Sequence, residues 1–115
     1  MKPSNAPLLL LDHDSAAASV AVVDGEGKVL ASSLELRPQM QAERLALMVQ
    51  ACLKDAGLRA PQLGAIACQR GPGSYTGLRI GAALAQGIAL PWNIPLLGYP
   101  RWRPWLGAGG IRIHP

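Results

Sequence analysis

Residues 65–90 read AIACQRGPGSYTGLRIGAALAQGIAL, and the change of character inside this stretch decides the fold class. Ala65 to Cys68 is a short apolar run, the pattern of a strand covered on both faces. Gly71-Pro72-Gly73-Ser74-Tyr75-Thr76-Gly77 follows as a glycine-rich loop. Ser74 is placed to cap a helix expected from about Thr76 to Leu90, since its hydroxyl can accept from the first free backbone N–H groups. Pro91 closes that helix, and Pro95 to Gly98 reads as another short strand. Strand, helix and strand in that order imply parallel pairing.

Upstream, short strand-like runs give way to a helical period at Gln41. Leu8 to Leu11 is a four-leucine run ending at Asp12 and suits a central strand. Ser19 to Val23 reads as a second strand, Asp24-Gly25-Glu26-Gly27 as a tight turn, and Lys28 to Leu36 as a third strand that Pro38 stops. From Gln41 to Ala56 the apolar residues Leu45, Met48, Val49, Cys52, Leu53 and Ala56 fall on one helical face, and Gly57 is placed to end the helix. The order β-β-β-α-β-α-β predicts an α/β domain with a mixed five-stranded sheet behind an antiparallel start.

At 115 residues the chain has room for one domain. Half of it is apolar and 16% is charged, which excludes a disordered polyelectrolyte. No uncharged apolar run approaches the ~20 residues of a membrane span, and Met1 to Pro7 lacks the basic, apolar, small-residue order of a signal peptide. A cytoplasmic protein without a membrane partner is expected. The net charge of +4 is unevenly spread: residues 1–98 carry eight basic against seven acidic side chains, whereas residues 99–115 carry three arginines and no acid. That distribution does not describe a basic patch on a folded face. Cys52 and Cys68 have neither the spacing nor the histidine partners of a zinc site, so two reduced thiols are expected.

The second helix is unusual because Arg79 and Gln86 are the only polar side chains between Leu78 and Leu90. A helix apolar nearly all round is covered on more than one side. Gly77, Gly81 and Ala85 recur every fourth residue as a ridge that lets another backbone approach. Two coverings fit: the first helix of the same chain, or a helix of another chain.

Catalytic chemistry is harder to find. The glycine loop lacks the GK[ST] ending of a P-loop and the GxGxxG spacing of a dinucleotide site, leaving phosphate binding at a helix start or a structural turn and cap. Asp12, with Asp14 and Ser15 just after it, sits where a metal or phosphate could be held or where turns are capped. His13 and His114 share no helix face, and no GxSxG elbow is present. No catalytic or metal-binding constellation emerges.

The run Gly71-Pro72-Gly73-Ser74-Tyr75-Thr76-Gly77-Leu78-Arg79-Ile80-Gly81 resembles the GPGSFTGLRIG signature of the TsaB (YeaZ) family. The strand ending in Asp12, the hairpin, the helix opening Gln41-Ala42-Glu43-Arg44-Leu45 and the order through Gly98 agree with it, so the likeness covers residues 8–98. It implies the N-terminal lobe of the actin-like (sugar kinase and Hsp70-type) ATPase fold. It further implies a non-catalytic partner subunit in threonylcarbamoyladenosine modification of tRNAs that read ANN codons. Such a subunit binds the catalytic TsaD-type subunit through helices of this lobe, is joined by a TsaE-type ATPase, forms homodimers alone and meets tRNA only indirectly. Together with the small-residue ridge, the resemblance places the partner surface on Gly73, Ser74, Tyr75, Thr76, Gly77, Leu78, Gly81 and Ala85. No cofactor is implied; Asp12 and Ser15 are the candidates for any nucleotide contact.

Departures from the pattern matter. The family's Asp-Thr-Ser after the first strand is Asp12-His13-Asp14 here, its His-Ser before Glu-Arg-Leu is Gln41-Ala42, and the HxxxH metal motif of the catalytic paralogue is absent. Family members are about twice this length, with a second lobe. After residue 98 the composition shifts to Tyr99-Pro100-Arg101-Trp102-Arg103-Pro104-Trp105 and a Gly- and Arg-rich end. In GC-rich codons, one inserted base turns Pro100 to Trp105 into Pro-Ser-Leu-Ala-Ala-Leu, the helix opening expected next. Residues 1–98 are therefore read as the lobe and 99–115 as an out-of-frame tail replacing the second lobe, with a genuine short variant as the other reading. Two other functions stay open: a fragment of an actin-like ATP-dependent small-molecule kinase using Asp12 and the glycine loop, and a plain homodimeric module.

Overall fold

A run of apolar residues becomes a central strand only if both its edges find partners, because buried backbone N–H and C=O groups must be hydrogen-bonded. In the computed structural model, which describes residues 6–13, 17–37, 41–69 and 76–99, Leu8–His13 is that strand, β1. It pairs antiparallel with β2 (Ala18–Val23), Leu9 opposite Val22 and Leu11 opposite Val20. On its other edge it pairs parallel with β4 (Ala65–Gln69), Leu9 opposite Ile66 and Leu11 opposite Cys68. β3 (Val29–Glu35) extends the antiparallel side, with a bulge between Val22 and Val23, and β5 (Leu96–Tyr99) extends the parallel side. The sheet order is β3-β2-β1-β4-β5. The mixed five-stranded sheet and the β-β-β-α-β-α-β order agree with the sequence reading, strand ends shifting by one or two residues.

Two helices lie on one face. α1 (Gln41–Ala56) crosses β2 and β3, and α2 (Thr76–Ala89) crosses β4 and β1, with the two helices in contact. The buried stripe of α1 is Leu45, Met48, Val49 and Cys52, the face that the 3.6-residue period marks. These side chains meet Leu9, Leu11, Val20, Val22, Leu63, Ile66, Ala85, Ala89 and Ile94 in one core. Fully burying a Leu or Ile contributes roughly 1.5–3 kcal/mol, so Leu9, Leu11, Leu45, Leu63 and Ile66 are the main apolar contributors. Among the described residues no helix packs on the opposite face, where alternation places Leu8, Leu10, Ala21, Val23, Leu34, Ala65, Ala67 and Leu97.

Local chemistry fixes the connections. Asp24 Oδ1 accepts from the N–H groups of Glu26 and Lys28, both at 2.9 Å, and closes the β2–β3 turn. At the end of α1, Gly57 has φ 71°, Leu58 N–H donates to Leu53 C=O at 2.9 Å and Gly57 N–H to Lys54 C=O at 3.0 Å. This left-handed cap satisfies two otherwise free carbonyls. Gly64 precedes β4 and donates to Pro7 C=O at 2.7 Å. A Cβ there would lie 2.8 Å from Ala6 Cβ, so only glycine lets the two segments approach. At the sheet edge, Glu35 accepts from Arg37 Nη2 at 2.8 Å and Nε at 2.9 Å, with Arg44 Nε of α1 at 3.5 Å. The Arg37 side-chain and backbone hydrogen bonds lower the Glu35 carboxyl from 4.5 to about 2.

Three predictions follow from this packing. Leu11→Ala should cost about 2–5 kcal/mol, read as a lower urea midpoint with unchanged slope, and Gly64→Ala about 1–3 kcal/mol by overpacking. A loss below 0.5 kcal/mol at either site (roughly the effect of a neutral surface change) would contradict the contacts described. The Glu35 carboxyl is more acidic folded than unfolded, so its contribution is full above pH 4.5 and is lost as the pH falls toward about 2. Urea midpoints measured across that window should fall, and Glu35→Gln should flatten the fall.

Candidate functional site

Because β1, β4 and β5 are parallel, their carboxyl ends share one end of the sheet, where ligands of open α/β sheets bind. Asp12 and His13 end β1 there, each 4% exposed. Pleating sends them to opposite faces, with Asp12 opposite Ser19 and His13 opposite Ala18. Asp14, Ser15 and the glycine loop from Gly71 to Tyr75 lie outside the described residues. Of the two candidates for nucleotide contact, the structure thus places Asp12 only. Among the described residues no group of three His, Cys, Asp or Glu side chains is arranged to hold a metal.

The thiols are set back from chemistry by the same core that orders the fold. Burial raises the Cys52 thiol, with a smaller contribution from the Asp55 charge, and burial raises Cys68. Both therefore stay protonated at neutral pH, and the thiolate is the nucleophilic form.

The largest change from the sequence reading concerns α2. Gly81 and Ala85 were expected on a surface offered to another chain. Both are buried, and Ala85, with no exposed area, belongs to the core cluster with Leu9 and Ile66. At these two positions α2 is turned toward the interior. A Cβ on Gly81 would nonetheless meet no atom within 4 Å, so the shielding there leaves room for a side chain. Thr76, Gly77 and Leu78 form the first turn of α2, and Gly73, Ser74 and Tyr75 lie outside the described residues.

The outward stripe of α2 consists of Arg79, Ala83, Gln86, Gly87 and Leu90. It carries one charge, and its middle is small. It leads into Leu90-Pro91-Trp92, a single 3-10 turn closed by Asn93 at φ 57°, a backbone region that Asn tolerates better than most residues. Leu90 is 81% and Trp92 49% exposed. Beside them Gln86, Ala89, Leu90, Asn93, Ile94 and Leu96 line a cleft of about 240 Å³. This cleft adjoins the amino end of β5, the end of the sheet away from Asp12, so cavity and carboxylate do not form one site. The sequence reading treated Pro91 only as a helix stop; the signal it passed over is the apolar pair Leu90 and Trp92 flanking that proline. An apolar patch of this kind is a feature of contact surfaces.

Comparison with known proteins identifies the family. The family model described as TsaD: tRNA N6-adenosine threonylcarbamoyltransferase matches residues 36–100. The chain is 41% identical over 91 residues to the tRNA threonylcarbamoyladenosine biosynthesis protein TsaB of Escherichia coli (strain K12), covering 79% of this chain and 38% of that protein. To the TsaB protein of Haemophilus influenzae it is 38% identical over 93 residues, covering 81% and 39%. The structure of YeaZ from Pseudomonas aeruginosa superimposes with a TM-score of 0.78 at 36% identity, over 90% of this chain and 48% of that one. The chain thus spans about two fifths of the length of the curated relatives it matches. Sequence signature, sheet order and helix placement converge: the chain belongs to the TsaB (YeaZ) family and has that family's actin-like α/β fold.

Proposed function

We propose that this chain serves tRNA threonylcarbamoyladenosine modification as a non-catalytic subunit that docks the catalytic TsaD-type subunit through its helical face. The observation that carries the reading is the outward stripe of α2, where Ala83 and Gly87 are exposed in the middle of a nearly uncharged helix face. Small residues at such positions let a second helix approach closely, and low charge keeps the desolvation cost of docking small. The outer surface of α1 is more polar, with Arg44, Gln50, Lys54 and Asp55 exposed alongside Leu47, and is taken as the rim of this proposal. A TsaE-type ATPase joining the complex, and self-association of the chain through the same face, belong to this proposal. Residues 1–98 as one lobe and an atypical tail after them also belong to it, the tail lying almost entirely outside the described residues.

Two experiments test it. Ala83→Arg and Gly87→Arg place bulk and charge on exposed positions, so the circular-dichroism melt should stay within a few degrees of the parent. Affinity for the TsaD-type subunit, measured by calorimetry, should fall at least tenfold (about 1.4 kcal/mol). Binding within twofold of the parent for both variants would overturn the docking face. Second, in cells depleted of their own TsaB, this 115-residue chain should restore only a minor share of tRNA threonylcarbamoyladenosine, assayed by nucleoside mass spectrometry. Full restoration would show that the matched region suffices for the pathway.

A further inference from the structure

We draw no further inference here: the strongest candidate, the exposed apolar patch of Leu90, Trp92 and Leu96 around the cleft at the carboxyl end of α2, is an unpartnered face, and nothing in the structure shows what covers it.

Discussion

A strand with apolar side chains on both faces can be buried only if a neighbour satisfies each of its edges, and β1 meets that condition with two neighbours of opposite direction. β2 supplies the antiparallel edge through a short local connection. β4 supplies the parallel edge from far along the chain, and it arrives there only because α1 bridges the distance across the sheet. Leu9 and Leu11, essentially inaccessible, then present the floor on which both helices rest. Removing the parallel pairing would leave Leu8 to Leu11 with one free edge and would unseat β5, which pairs with β4 alone.

The helices depend on that floor in different ways. α1 buries Leu45, Met48, Val49 and Cys52, whereas the buried residues of α2 include the small Ala85 and Ala89. Both helices fill one continuous core, α2 adding the partly buried Ile80, Leu84 and Ile88 around Ala85 and Ala89.

Most of this architecture was legible in the residues themselves. The period change at Gln41, the cap at Gly57 and the glycine loop before Thr76 mark elements whose bounds the structure reproduces closely. The inward ridge of α2 was not legible. Periodicity ranks faces by hydropathy, and when nearly every position is apolar the ranking has nothing to act on; only the fit against Leu9 and Ile66 selects the side. The same limit applies to β1 and β4, whose all-apolar pattern indicates two covered faces, while the described helices occupy one. The outward stripe of α2 was half legible: Arg79 and Gln86 mark it, but the exposure of Leu90 and Trp92 accompanies a 3-10 turn that no local pattern announced. Asp12 was read correctly as a strand-end residue, and its depth in the sheet is a property of its neighbours.

The central position of the first strand also sets a schedule for synthesis on the ribosome. β1, β2 and β3 emerge together and can form their meander at once, since their contacts are local. The parallel partner of Leu8 is Ala65, and the chain between them takes roughly 3 to 11 seconds to make at 5–20 residues per second. During that interval the inner edge of β1 is a leucine-lined strand without its neighbour, the kind of edge that pairs with other nascent chains. Until β4 (Ala65–Gln69) is made, the sheet cannot close, so the leucine strand waits longest for its partner.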